Sequence, residues 1–235
     1  MEKKPCIRMF FGVLTTLLVL ALARQMPAID QEEARERMGN SIEVLREIIH
    51  IPEGGIPKSV LTNCKGLIVV PHLIKAAFGV GGSRGHGIVV HRLAGGAWSD
   101  PSFCTITAGG IGFQIGGQAT DLVLVVNNEK GFKALLGNNF KFGANASVAA
   151  GPVGRTAEAG TDVTLRAEIY SYSRSKGLFA GVSVEGAGFT MDGKANTAFY
   201  GKPVDPDKLL FAASTPYPAA AQPLLKLLAP YKPKK

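Results

Sequence analysis

Residues that support metal or thiol chemistry are scarce in this sequence. It contains 3 cysteines and 4 histidines among 235 residues, with no Cys-x-x-Cys pair and no cluster of the two types. A structural zinc site needs four such ligands at short spacings, so this class of fold is excluded. Cys64 and Cys104 both stand in apolar, strand-like surroundings. Buried free thiols are the simpler interpretation, and a disulfide between them remains open.

The sequence also lacks a complete catalytic or nucleotide-binding motif. Residues 81–85 match the G-x-S-x-G pattern of serine hydrolases, but that pattern requires a sharp turn from a strand into a helix, and a strand-like segment follows here. A hydrolase that uses Ser83 is therefore a distant alternative. Residues 188–194 resemble a phosphate-binding loop, but Ala195 replaces the Ser or Thr that binds magnesium. We predict a non-enzymatic protein without a cofactor.

An apolar run near the N-terminus indicates a targeting segment. The start is basic, with Lys3, Lys4 and Arg8, and residues 9–23 are mainly apolar and end in an Ala-Leu-Ala site. These three features together are typical of a cleavable signal peptide. The apolar run is shorter than the roughly 20 residues that span a bilayer, which disfavours the alternative of an uncleaved anchor.

We therefore predict a signal peptide at residues 1–23 and one exported domain at residues 24–235, periplasmic or associated with the cell envelope. Basic residues outnumber acidic ones, 26 against 18. Without the signal segment, which holds three basic residues and one acidic residue, the net charge is +6. This excess favours an anionic surface or ligand, although an ordinary basic protein accounts for it equally well. We predict no nucleic-acid partner.

Helical periodicity is clearest at residues 30–49. Asp30 provides an N-cap, Glu33 occupies the capping-box position, and apolar residues recur at helical spacing. The opposite face mixes acidic and basic side chains, whereas a helix that lies on a membrane is rich in Lys and Arg. We therefore expect this helix to pack against the core rather than insert into a bilayer. Further helices are predicted at 57–63, 128–137, 205–213 and 219–228.

Between these helices the sequence is glycine-rich and typical of β-structure. Many of the 29 glycines fall inside the predicted strands. Glycine in a strand marks the strong coiling of a closed barrel, or the close approach of another backbone or of a ligand. The predicted fold is α+β: a glycine-rich, mainly antiparallel β barrel or sandwich with an N-terminal helix and C-terminal helices. The strands are predicted at 66–70, 77–82, 87–92, 103–118, 121–126, 141–150, 165–173 and 178–189.

Several ordered strings of residues resemble a known family, the SYLF lipid-binding domain. The resemblance extends over about residues 42–211, nearly the whole predicted mature chain. A set of ordered strings is far more specific than any one short motif. The strings are AFGVGGSRGHG at 77–87, WSDP at 98–101, GGIGFQIGGQ at 109–118, DLVLV at 121–125, AAGPVGR at 149–155 and YSYSRSKGLFAGVS at 170–183.

The resemblance implies a domain that binds anionic lipids, including phosphoinositides in eukaryotic members, with actin binding in fungal relatives. An anionic head group requires Arg or Lys donors near exposed backbone N–H groups, with apolar surface for the acyl chains. Arg84, Arg155, Arg174 and Lys176 lie in or beside glycine-rich turns of the matching strings. We predict these four as lipid-binding residues, and basic side chains that only keep the turns soluble are the alternative.

The predicted function is non-enzymatic binding of an anionic lipid or membrane surface at the cell envelope. A structural or protein-partner-binding envelope protein is the alternative, because glycines and aromatic residues also serve folding alone. The sequence does not identify a protein partner.

Overall fold

The structure is a computed structural model in which a defined part of the chain is described. The predicted signal peptide at residues 1–23 lies outside that part, so it stays a prediction. Among the described residues, no helix is both long enough and apolar enough to cross a membrane. The described residues are 29–51, 55–137, 139–153, 167–175, 178–179, 184–214 and 217–233, with the backbone alone at 76–80, 110–117 and 178–179.

The first helix, α1 (Gln31–Ile49), follows the sequence periodicity. The Asp30 side chain accepts a hydrogen bond from the Glu33 amide at 2.8 Å, which caps the helix. Its apolar stripe, which includes Met38, Leu45 and Ile48, is fully buried in a core cluster. The prediction that this face packs against the core is therefore confirmed.

The described strands form a single sheet. All strand pairs in it are antiparallel except β3 with β4, so the α+β class and the mainly antiparallel sheet are confirmed. The strands are β1 (Gly66–His91), β2 (Ser102–Val126), β3 (Val148–Ala150), β4 (Ile169–Ser175), β5 (Leu178–Phe179) and β6 (Gly188–Met191). The further helices are α2 (Lys58–Asn63), α3 (Glu129–Leu135), α4 (Gly193–Tyr200), α5 (Pro206–Leu210) and α6 (Gln222–Leu228), the last preceded by a 3₁₀ turn at Ala219–Ala221.

The strands β1 and β2 form a long two-stranded ribbon, with β1 at one end of the strand order and β2 also paired with β4 and β6. They pair from Gly66 opposite Val126 to Val89 opposite Ser102. β4 pairs with the C-terminal part of β2, and β6 pairs with its N-terminal part. The register shifts twice, once after Val70 and once after residue 77. Irregularities of this kind bend a ribbon and increase its twist.

The two halves of β1 lie against each other. A Cβ atom added to Gly87 would lie 2.0 Å from the carbonyl oxygen of Val69, and one added to Gly85 would lie 2.5 Å from a methyl carbon of Val70. Because no real Cβ atom approaches other atoms so closely, only glycine fits at these two positions. Of the explanations for glycine inside strands, close approach of another backbone is the one that applies here.

The ribbon therefore reverses its direction midway. The Arg92 amide, just after β1, donates to the Lys65 carbonyl, just before it, at 2.7 Å. The chain turns back between these ends, and we call residues 74–84 with the paired residues 107–119 the ribbon bend. The result is a curled, partly barrel-like sheet.

Both faces of the curled sheet are covered by apolar side chains. On β2, Val123 and Val125 belong to the core beneath α1, α4 and α6, whereas Leu122 and Leu124 belong to a second core with α3. This alternation follows from the two-residue period of a strand. The second core also holds three phenylalanines in edge-to-face contact, with ring centroids 4.9–6.3 Å apart: Phe140, Phe142 and Phe189.

Several predicted elements differ from those observed. The segments predicted at 77–82 and 87–92 belong to the one strand β1. Of the strand predicted at 141–150, only Val148–Ala150 is regular, and the rest forms isolated bridges. The segment predicted at 178–189 contains the two short strands β5 and β6. Here contacts with neighbouring segments, rather than local pattern, decide where a strand begins and ends.

The helix α4 was not predicted from the sequence. It begins directly after β6, where the Asp192 side chain accepts a hydrogen bond from the Ala195 amide at 3.0 Å. Its buried Asn196 accepts from the Phe103 amide at 2.9 Å and donates to the Ser102 hydroxyl at 3.0 Å. Eight residues are too few for an isolated helix to be stable, so this contact with β2 and its packing hold it.

The Gly87→Ala substitution tests the contact between the two halves of β1. We expect it to lower the free energy of unfolding by at least about 2 kcal/mol, because the new methyl group overlaps the Val69 carbonyl. Gly95→Ala is the matched control, since no heavy atom lies within 4 Å of an added Cβ there, and it should change stability by less than about 0.5 kcal/mol. Urea denaturation measures both, and equal stability of the two variants would contradict the fold-back.

Candidate functional site at the ribbon bend

Two of the four predicted lipid-binding residues lie in the described part of the chain. Arg84 is the last residue of the ribbon bend on β1, and Arg174 lies on β4 opposite Asp121, two residues beyond the end of the bend on β2. The structure therefore brings both to the base of the same bend. Arg155 and Lys176 lie outside the described residues, and their assignment stays a prediction.

The Arg174 side chain is held by two carboxylates. Its Nη2 donates to Asp121 Oδ2 at 3.0 Å and also to the Glu47 carboxylate on α1. The hydrogen bond that Arg174 donates to Asp121, and next the one it donates to Glu47, raise the pKa of Arg174 above its ordinary value. The guanidinium thus joins β4, β2 and α1, and an anionic head group at this residue would have to compete with both carboxylates.

Asp121 also stabilises the first register shift of the ribbon. Its Oδ1 accepts a hydrogen bond from the His72 amide at 3.0 Å. His72 has a φ of 47°, a left-handed conformation that non-glycine residues rarely adopt. The Asp121 carboxylate therefore satisfies the backbone of the bulge on β1 and pairs with Arg174 on β4 at the same time. These contacts of Asp121 fix the position at which the ribbon bend begins.

Arg84 has different surroundings from Arg174. It is exposed and forms no ion pair or hydrogen bond with any residue of the described ranges. Nearby, Arg37 on α1 is paired with Asp192 at 3.3 Å, and His86 Nδ1 lies 3.9 Å from the same carboxylate. Burial, followed by the positive charges of Arg37 and Arg84, lowers the pKa of His86. With its pKa below the ordinary value, the imidazole is mostly neutral at pH 7, and Arg84 is a charge of this cluster without a partner in the described ranges.

Sequence analysis missed two neighbouring residues, Ile74 and Lys75. Ile74 pairs with Ala119 at the start of the bend, and its side chain is 58% exposed. Lys75 is half-buried, lies opposite Gln118 and has no ion pair within the described part of the chain. The sequence did contain a signal for this site, because residues 76–83, between Lys75 and Arg84, carry no charge.

The residues that resemble catalytic motifs occupy structural positions. Ser83 lies within β1 opposite Ala108, so the strand-to-helix turn of a hydrolase is not formed there. Cys64 and Cys104 are free and lie in the two different cores, and burial raises the pKa of both thiols. Within the described ranges, no three His, Cys, Asp or Glu side chains group closely enough to hold a metal ion.

The Arg174→Gln substitution tests whether this residue is structural. We expect a loss on the order of 1–2 kcal/mol in the free energy of unfolding, because Asp121 and Glu47 would lose their partner at a half-buried site. Lys130→Gln is the control: Lys130 pairs with Glu168 at 3.0 Å but is 85% exposed, and surface pairs contribute little. Chemical denaturation distinguishes them, and equal losses would show that the Arg174 network contributes no more to stability than a surface ion pair.

The described residues form a curled α+β sheet with charged pairs beside the ribbon bend, and comparisons with known proteins define the family. A family model described as "Ysc84: Las17-binding protein actin regulator" matches residues 107–231. The chain therefore belongs to the Ysc84 family, which is the SYLF family that the sequence resembles, so that prediction is confirmed.

Several eukaryotic relatives are similar over most of this chain. An SH3 domain-containing protein of Schizosaccharomyces pombe is 42% identical over 177 residues, which cover 74% of this chain and 40% of the relative. The human SH3 domain-containing YSC84-like protein 1 is 39% identical over 191 residues, covering 79% and 55%. Protein YSC84 of Saccharomyces cerevisiae is 39% identical over 176 residues, covering 74% and 37%. The matched region thus spans about half the length of these relatives or less.

Proposed function

We propose that this chain is a non-enzymatic module that binds a protein partner and takes part in regulating actin. Its membership of the Ysc84 family, described by Las17 binding and actin regulation, is the observation that supports the proposal. The described residues agree with it, because Ser83 lies inside a paired strand and both thiols are buried. An exported chain would not meet cytosolic actin, so processing of residues 1–23 decides which partners are accessible.

Co-sedimentation with purified actin filaments tests this proposal. We expect the wild-type chain to pellet with filaments in a saturable manner. Arg84→Glu should weaken the interaction, because this exposed cation has no partner among the described residues and an acidic surface would attract it. Lys58→Glu, the same charge change at an exposed lysine on α2, should bind like the wild type. A chain that never pellets with filaments would overturn the actin proposal, and equal weakening of both variants would exclude Arg84 as the contact.

A second candidate function is binding of an anionic lipid surface, and the ribbon bend favours it. Lys75 and Arg84 delimit a stretch of β1 without charge, and neither has an ion pair within the described residues. A cation near an acidic membrane contributes about 1 kcal/mol to binding. The bend therefore combines donors for a head group with an apolar side chain, Ile74, that is largely exposed. Arg155 and Lys176 remain proposed contributors to the same function.

Vesicle sedimentation tests the lipid candidate. The chain should pellet with phosphatidylserine-containing vesicles and much less with pure phosphatidylcholine vesicles, and added salt should reduce the difference. The double substitution of Lys75 and Arg84 by Ser should weaken binding roughly thirtyfold. The control replaces two exposed lysines outside the bend, Lys58 and Lys202, by Ser and should bind nearly as well as the wild type. Binding that is insensitive to lipid charge and to the Lys75/Arg84 pair would contradict this candidate.

A further inference from the structure

We propose that the ribbon bend, residues 74–84 with 107–119, inserts shallowly into a bilayer, with the Ile74 side chain in the membrane interface and Lys75 and Arg84 at the level of the head groups. This inference rests on the lipid-binding candidate above and adds the element that enters the membrane. Insertion is a separate effect from the attraction of Lys75 and Arg84 to acidic lipids, because it buries apolar surface of the protein in the membrane.

The first observation is that α1 has no apolar face left for a membrane. Its apolar side chains are buried in the core against β1 and α4, with exposed fractions of 0–4% for Met38, Ile42, Leu45 and Ile48. Exposing this face to lipid would open that core. A membrane-inserting element must therefore be sought elsewhere on the domain.

The second observation is the exposure of Ile74. Among the side chains of the described residues, the large apolar ones that are exposed are Ile74 at 58% and Phe211 at 48%. Phe211 rests with its ring edge on His91, 5.2 Å between centroids, at the end of β1 away from the bend. Ile74 instead lies at the start of the ribbon bend, beside Lys75.

The third observation is the charge distribution along the two arms of the bend. Residues 76–83 on β1 and 107–119 on β2 contain no Asp, Glu, Lys or Arg. Cations stand at the limits of the β1 arm, Lys75 and Arg84. An uncharged segment bordered by cations matches the cross-section of an acidic membrane, which is apolar inside and negative at its surface. An acidic protein surface would match the cations but not the uncharged arms between them.

The pairing of the bend limits how deeply it enters. Its two arms are hydrogen-bonded to each other, for example Ala77 opposite Gly116 and Gly82 opposite Gly109. No third strand pairs with residues 109–117 within the described part of the chain. Since unpaired strand edges are not tolerated in the hydrocarbon core, insertion stops in the interfacial region, about 5–10 Å deep.

Tryptophan placed at the two exposed apolar positions tests the proposal. Ile74→Trp and Phe211→Trp each add one indole to a chain whose native Trp98 is only 5% exposed. Each variant is mixed with phosphatidylserine-containing vesicles whose acyl chains carry bromine, a quencher of tryptophan fluorescence. We expect a shift to shorter wavelength and about twofold quenching for Ile74→Trp, and neither change for Phe211→Trp. Ile74→Asp should weaken vesicle binding roughly tenfold, and Phe211→Asp should not.

The outcomes separate this inference from the lipid-binding candidate. If the wild-type chain pellets with the vesicles but the added indole of Ile74→Trp is not quenched, the bend does not insert and the lipid function stands. If the wild-type chain does not pellet at all, both fail. Equal quenching at both positions overturns the orientation proposed here. Circular dichroism identical to the wild type shows that the substitutions, both at exposed side chains, leave the fold intact.

Discussion

The contact between the two halves of β1 is the constraint on which the rest of this domain depends. A strand of 26 residues would be far too long for a domain of this size if it stayed extended. It fits because it turns back on itself where Gly87 admits the Val69 carbonyl and Gly85 admits the side chains of Val70 and Leu73. The partner strand β2 follows the same path, so one ribbon supplies most of a curled sheet and leaves α1 and α3 to cover its two faces.

Charged groups then fix the position of the bend that this fold-back creates. Asp121 accepts the amide of His72 and pairs with Arg174, and Arg174 extends the network to Glu47 on α1. Arg174 therefore connects three elements at the base of the bend. Arg84, at the other limit of the bend on β1, is exposed and has no such partner within the described residues. Two arginines in similar glycine-rich strings thus have different physical roles.

The residues that resemble catalytic motifs occupy structural positions in the described part of the chain. The thiols are buried and kept protonated, Ser83 is within a strand, and the polar groups at the bend are arranged around arginine and carboxylate pairs. The family model that matches this chain carries the description "Las17-binding protein actin regulator". Exposed cations such as Arg84 would suit either an acidic protein surface or an acidic membrane, and the uncharged arms of the bend favour the membrane.

The sequence by itself determined the elements whose signals are local. α1 was predicted from the Asp30 cap and its apolar spacing, the α+β class from alternating glycine-rich segments, and the family from ordered strings. The sequence did not determine that separate β segments form one reversed strand, because the reason is the approach of Val69 to Gly87, residues far apart along the chain. α4 escaped prediction because a buried Asn196 bonded to β2 holds it. Only tertiary structure decided that Arg174 is bound by two carboxylates, since these come from other elements, while Arg84 has no partner in the described part of the chain.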